Sequence, residues 1–419
     1  MRSDSKVAAC LQRGALRAIA GACAMVMPFA LAGAPASVLA APAGQAGQGQ
    51  VRHWGAFIGG VNPFRPVDVK LSPVSLTLPG RITAIGTSNS TLYALLADGS
   101  LYAWGLGTRG QLGNGSRRNS LTRPVRVRFP AGVKIASVPI DVMPYDTALA
   151  VDTTGHVWGW GLNSFGQLCL GNRAAHTLPV ELPFSGVTAL AGAGLHAVYD
   201  AHGRIYSCGN NTFGELGDGT TRSSTVPVRV TGLGSARVSV LVAAFANSGA
   251  LLSDGQYYDW GYDGQGQLGN GTIGEHSPVP VRVPLPGPVR LVAEGGSALG
   301  NGQTLTELAD GALYAWGDNS DYQLGNQQTG TEPSPIRILP PAGVRYTALA
   351  TGGDTSYGIS AAGNVYAWGE NKLGQVGNGT TSTAIIPVLV ASGATSISST
   401  AADVMITSLA CRTRREGQQ

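Results

Sequence analysis

The chain has 419 residues, including 61 glycines and 24 prolines; 43% of residues are hydrophobic, 7% aromatic and 12% charged, and the formal net charge is +4. Glycine without a three-residue period excludes collagen, and this apolar content excludes a disordered chain. The length suits two or three ordinary domains or one large all-β architecture with a substantial core.

The N-terminus reads as an export signal. Arg2, Lys6, Arg13 and Arg17 precede the apolar run AIAGACAMVMPFALAGA, and small residues follow in SVLAAPA, which places a cleavage site after Ala40. An uncleaved anchor is the alternative reading. Residues 1–40 hold four cationic residues and one acidic residue, Asp4, so the remaining chain is close to neutral. That balance gives no chain-wide case for binding nucleic acid or an anionic membrane. Cys10 and Cys23 leave with the signal. Cys169, Cys208 and Cys411 remain, an odd number without a CxxC pair, which argues against a disulfide scaffold and a zinc site. At most one internal bridge can form, and any of the three pairings is open.

After a short linker, 41–48, a repeat organises residues 49–412. The pattern G-x-x-x-x-[W/C]-G starts at Gly49, Gly99, Gly155, Gly203, Gly255, Gly311 and Gly363. A proline followed by Val or Ile falls 19 or 20 residues after each Trp or Cys, at Pro73, Pro124, Pro179, Pro227, Pro280, Pro335 and Pro387. A period of 48 to 56 residues excludes short helical solenoids and suits a propeller blade. Within one unit, RITAIG, STLYALLADG, LYAWG and PVRVRF read as four short strands separated by turn residues. Seven such units predict an all-β, seven-bladed β-propeller of four-stranded blades. The first unit starts on its GQVRHWG strand without the strands that normally precede it, and TSISSTAADVMITSLAC at the other end supplies those strands but lacks the G-x-x-x-x-W-G that should follow. The two ends are therefore expected to share a blade, closing the ring by strand pairing and hiding two edges. Residues 413–419 form a polar tail.

The loop after each Trp-Gly is repeated as well: WGLGTRGQLGNGS, WGLNSFGQLCLGN, CGNNTFGELGDGT, WGYDGQGQLGNGT, WGDNSDYQLGNQQ and WGENKLGQVGNGT. With the Pro-Val mark and the preceding DG, this series closely resembles the regulator of chromosome condensation repeat, over essentially residues 49–412. The resemblance implies a seven-bladed propeller and an exported, bacterial-type member of that family. Kelch repeats compete on length, but their diglycine and spaced Tyr and Trp marks are not repeated. Departures are WGAFIGGVN after Trp54, Cys208 in a tryptophan position, LCLG around Cys169, and a Gly-x-x-His element kept only at Gly192–His196. The recurring Trp-Gly and GQLGNG residues are expected to be framework, because a buried Trp and a glycine free of Cβ serve packing and turns.

No catalytic signature is present: there is no G-x-S-x-G elbow and no H-E-x-x-H helix. The six histidines lack paired ligand spacing, and Asp318–Asn326 lacks the EF-hand pattern. No catalytic, cofactor or metal residue is assigned. The candidate partner-binding residues lie in loops. They are the basic run with Arg109, Arg117 and Arg118, for which a solvated edge is the competing account; Asp141 and Tyr145 in a lengthened segment, where Glu294 of a second such segment is a further candidate; and one changing loop position read as Arg109, Phe165, Phe213, Gln265, Asp321 and Lys372. The expected function is an exported, non-enzymatic, monomeric protein-interaction or scaffolding module in the periplasm, on the cell surface or outside the cell. No nucleic acid, membrane or cofactor is expected among its partners. Because some family members exchange guanine nucleotides on Ran-type GTPases, the resemblance also implies an exchange-factor-like alternative. Inhibition of a secreted enzyme is a minor one.

Overall fold

The computed structural model describes residues 50–58, 66–88, 90–139, 146–193, 195–274, 276–298, 301–400 and 402–408. The expected signal, linker and polar tail lie outside this set. Alternating runs bounded by Gly, Asn and Asp turns form 28 strands in seven four-stranded antiparallel sheets. The architecture is the seven-bladed propeller read from the repeats. Blade I contains Ile82–Ser88, Thr91–Leu96, Leu101–Gly105 and Ser120–Arg126, in that spatial order. Blades II to VI repeat it, with inner strands beginning at Ile135, Val187, Val238, Val289 and Tyr346. The inner strands of blades III to VII pack on one another in succession, and that of blade VII packs on that of blade I.

This antiparallel winding sorts the connections. Turns between the first and second strands, and the long loop between the third and fourth, share one face, here the loop face. Hairpins between the second and third strands share the other face with the links between blades.

Blade VII is assembled from both ends of the repeat region. Its order is Pro66–Thr77, Gln50–Ile58, Asp403–Ser408, Ala394–Ser399. Val51 pairs with Thr407 and Gly55 with Asp403. The Ala56 amide donates to the Ala402 carbonyl at 2.8 Å, and the Arg52 guanidinium reaches the Ser392 carbonyl. His53 Nδ1 lies 3.7 Å from Asp403 Oδ2, both side chains buried.

Blades are joined by one recurring contact. Trp54, Trp160, Trp260, Trp316 and Trp368 are fully buried. Each indole fits beneath the long loop of the preceding blade, against Gly377, Gly113, Gly217, Gly269 and Gly325 respectively. A Cβ at any of these glycines would stand 2.4 to 2.8 Å from the indole nitrogen, and every one has positive φ. The indole N–H of Trp160 donates to the Gln111 carbonyl, that of Trp260 to Glu215, that of Trp316 to Gln267 and that of Trp54 to Gln375, at 2.8 to 2.9 Å.

The seam between blades II and III is built differently. Cys169 stands where the other loops have glycine, with φ +57°, and Cys208 stands where the other third strands have tryptophan. The two are disulfide-bonded across the seam. Of the three pairings open in the sequence, the structure takes this one. A Cys side chain cannot fill an indole site, and Phe184 stacked on Tyr199 at 4.3 Å occupies part of this core.

Candidate protein-interaction face

The long loops that bear most candidates are braced from within. Two residues beyond each changing position a buried Gln or Glu turns back, and its side chain accepts the amide of that position. Arg109 is so bound to Gln111 at 2.8 Å, Phe165 to Gln167 at 3.1 Å and Phe213 to Glu215 at 2.8 Å. Gln265 is bound to Gln267 and Asp321 to Gln323, each at 2.8 Å. A second brace comes from Asn211, Asn319 and Asn371, whose carboxamides accept the amides of Leu216, Leu324 and Val376 and donate back across the loop.

This geometry corrects the alignment of the last loop. The amide held by Gln375 is that of Leu373, at 2.7 Å, so Leu373 is the counterpart of Arg109 and Phe165. Lys372 lies one residue earlier and projects from the loop, where it pairs with Glu370 at 2.8 Å and with Asp321 of blade V at 3.3 Å. Gly374 follows Trp368 by the same six residues as Gly110 follows Trp104, which fixes the same register in the sequence.

Several changing positions form a belt of contacts around the loop face. Phe213 of blade III meets Tyr262 of blade IV with ring centroids 4.8 Å apart. Thr331 of blade V donates to Gln265 of blade IV at 2.9 Å, and Asp321 of blade V takes the Lys372 ammonium. Arg109 is exposed and Phe165 half-buried. Arg117 and Arg118 are exposed at the end of the blade I loop, toward the outer rim. Asp141 and Tyr145 lie outside the described residues.

Glu294 is not an interface residue. It belongs to the inner strand Val289–Ala298 of blade V and is 3% exposed, because its alternation points it into the seam with blade IV. There the Tyr257 hydroxyl donates to it at 2.9 Å and Asp259 of blade IV faces it. Burial, then the neighbouring carboxylate, raises Asp259 well above the carboxylate range, and burial raises Glu294. Burial likewise pushes Asp263 up to about 6.

Other polar residues facing inward are framework. Asp146 accepts from Ser90 at 2.6 Å and Gln111 at 3.1 Å, with its carboxyl raised by burial against the opposing pull of Arg109. His196, the survivor of the Gly-x-x-His element, is completely buried and lies 3.1 Å from the Asn247 carbonyl and 2.8 Å from the Ser248 hydroxyl. Burial pushes its pKa down to about 4, so it is a neutral strut at physiological pH. Among the described residues no group of three or more His, Cys, Asp or Glu is placed to hold a metal ion. On the opposite face, an open cleft of about 390 Å³ lies beside Phe184, His202, Arg204 and Tyr206.

Fold and loops together define a closed seven-bladed propeller whose blades are latched by a repeated loop on one face. The model of the "Regulator of chromosome condensation (RCC1) repeat" matches residues 98–139, 154–199, 202–246, 254–298, 310–359 and 362–411, and the chain belongs to this family. It is 28% identical over 288 residues to the ultraviolet-B receptor UVR8 of Arabidopsis thaliana, covering 67% of this chain and 62% of that protein. Similarity to the human E3 ubiquitin-protein ligase HERC2 reaches 30% over 82% of this chain but only 7% of the ligase. Among solved structures, human WBSCR16 superposes with a TM-score of 0.73 at 19% identity, over 86% of this chain and 98% of that one. Yeast Prp20p, described with its binding to Gsp1p and histones, superposes at 0.72 and 19%, over 87% of this chain and 92% of that one.

Proposed function

We propose that the chain is an exported, non-enzymatic scaffold that binds another protein through its loop face. The observation that carries this is the division of labour in the loops. Tryptophan, glycine, Gln and Asn are used in bracing and latching, whereas Arg109, Phe165 and the arginines after them vary in chemistry on an unchanging frame. Variable side chains on a rigid scaffold are the arrangement by which loops recognise partners. Export is supported by the cationic and then apolar N-terminus and by the Cys169–Cys208 bridge, since such bonds persist in oxidising compartments. The reading is tested by placing photo-crosslinking residues at Arg109 and Phe165 on the loop face and at His202 on the other face, in the producing cell. Crosslinks to one protein from the loop face alone, on a secreted chain whose mass begins at Ala41, are expected. Equal crosslinking from both faces, or a chain retained in the cytosol, would overturn it.

A second reading follows from Prp20p, which shares this fold and whose solved structure is described with its binding to Gsp1p. Exchange on a Ran-type GTPase would appear as accelerated release of a labelled guanine nucleotide. No acceleration is expected here.

A further inference from the structure

The hairpin between the second and third strands is built differently in blade III. In blades I, II, IV, V and VI the pairs that open it are Thr91 with Gly105, Thr147 with Gly161, Asn247 with Gly261, Gln303 with Gly317 and Thr355 with Gly369. In blade III His196 pairs with Gly209, so this hairpin is one residue shorter. Ala201 pairs with Arg204, and His202 and Gly203 between them have φ of +54° and +74°, as a two-residue type I′ turn requires. The longer hairpins reach the next blade. A Cβ on their tip glycine, Gly99, Gly155, Gly255, Gly311 or Gly363, would lie within 4 Å of the segment that enters that blade, whereas one on Gly203 would meet nothing. His202 lies instead over Gly186, in the link that enters its own blade, where a Cβ would stand 2.2 Å from the imidazole. Between that link and the short tip is the cleft of about 390 Å³, lined by Phe184, Ser185, His202, Arg204, Tyr206 and Pro227.

The chemistry of this place also differs from blade to blade. The residue before the tip glycine is Asp98, Thr154, Asp254, Asp310 or Ala362 in the longer hairpins, and the residue after it is Ser100, His156, Gln256, Ala312 or Asn364. Blade III has His202 and Arg204 there. Alternation puts Arg204 and Tyr206 on one face of the third strand, so both line the cleft. The Phe184 ring lies 6.3 Å from that of Tyr206 and is itself stacked on Tyr199. No carboxylate lines the cleft. The nearby Asp200 is buried and takes the Thr188 hydroxyl at 3.0 Å, and Arg204 has no ion-pair partner among the described residues.

We propose that this cleft binds a small carboxylate carried on a ring, with the ring against Tyr206 and the acid group on Arg204. A guanidinium meets a planar carboxylate through two parallel N–H···O bonds, and an aromatic wall favours a flat apolar face. The Ser185 hydroxyl and the His202 imidazole supply the few further polar groups that fix orientation in such a site, and the volume suits one ring with its acid group. A phosphate or sulfate would call for a nest of backbone amides or a second guanidinium, and this lining has a single arginine. A uronic acid and an aromatic acid share the ring and the carboxylate, so the experiment separates these two sources. The cleft faces away from the long loops, and the site stands or falls apart from any protein bound there.

The test is calorimetric titration of the mature chain with glucuronate, phenylacetate, their neutral counterparts glucose and phenylacetamide, acetate and inorganic sulfate. One of the two ring acids is expected to bind at least tenfold more tightly than its neutral counterpart, acetate and sulfate, and which one it is identifies the ring. Arg204→Gln should weaken that acid at least tenfold with an unchanged melting temperature, whereas Arg282→Gln, an exposed arginine of blade IV, should leave it unchanged. Tyr206→Leu keeps an apolar side chain but removes the aromatic face, and should bring the ring acid down to the affinity of acetate. Equal binding of sulfate or of the neutral ring compound would overturn the carboxylate assignment. Wild-type affinity in Arg204→Gln, or no binding of either ring acid to the intact chain, would overturn the site.

Discussion

Asp259 and Glu294 come from different blades yet meet in the seam between them, fully buried, with no cation facing them among the described residues. Tyr257 contributes a hydroxyl, and the nearby carboxyl of Asp263 is itself raised to about 6. Because burial raises both carboxyls, the folded protein holds protons that the unfolded chain releases near pH 4. The resulting stability is fully present below that ordinary value and is lost as pH rises through the elevated folded values, by about 1.4 kcal/mol for each unit of displacement. The melting temperature is therefore expected to fall between pH 5 and pH 8. Glu294→Gln keeps an acceptor for Tyr257, offers Asp259 an amide and removes one of the two charges, so it should flatten that fall. Parallel wild-type and variant curves in thermal melts across this range would refute the assignment. None of this was legible in the sequence, where Glu294 looked like part of a lengthened surface segment. Which residues face each other across a seam depends on the alternation of two blades at once.

The element that repeats is a loop of one blade closed over the indole of the next. Trp316 is fully buried, donates to the Gln267 carbonyl and lies against Gly269, whose φ is +60°. Trp316→Ala should cost about 3 to 5 kcal/mol, the range for truncating a buried aromatic side chain. Gly269→Ala attacks the same contact from the other side, since its Cβ would stand 2.7 Å from the indole nitrogen in a backbone conformation that L-residues disfavour. Urea unfolding of the two single variants and the double variant would show strong non-additivity if they report one contact, and simple additivity would count against it. At the II–III seam a covalent bond replaces this packing. Closing 39 residues of sequence separation, the Cys169–Cys208 bridge should contribute about 4 kcal/mol by loop entropy. Thiol titration of the denatured, unreduced mature chain should find one free cysteine of three, Cys411, and reduction should lower the melting temperature. Both departures were visible in the sequence as a misplaced Cys in the loop and a missing Trp in the strand. Their pairing was not, because the contact runs from each loop to the following blade, and only the coordinates show that the two positions are opposite each other.

At the scale of the whole molecule, the period and its marks had to produce a ring, because each blade's apolar surface is covered only by its neighbours. This part was readable: strand-like alternation, seven Trp-Gly or Cys-Gly marks and complementary ends specify blade number and closure without any tertiary information. What periodicity cannot show is where the ring is uneven, and that is where its particular properties lie: the cleft of blade III, the acidic seam of IV and V, and the bridge between II and III. Closure itself can be tested by removing one strand. Gln50–Ile58 sits third from the axis in blade VII, between Asp403–Ser408 and Pro66–Thr77, and brings Trp54 into the seam with blade VI. Deleting Gly49–Gly55 from the mature chain would uncover the outer edge of Asp403–Ser408, leave Pro66–Thr77 unpaired and empty an indole site. An open ring of this kind exposes two strand edges that can pair between molecules. The truncated chain is therefore expected to melt at a lower temperature and to elute as oligomers, with the intact chain as a single species. Supplying a synthetic Gln50–Ile58 peptide in trans should shift it back toward monomer, because the missing element is a strand with defined neighbours on both sides. Unchanged melting and elution after the deletion would show that the ring does not depend on this strand for closure.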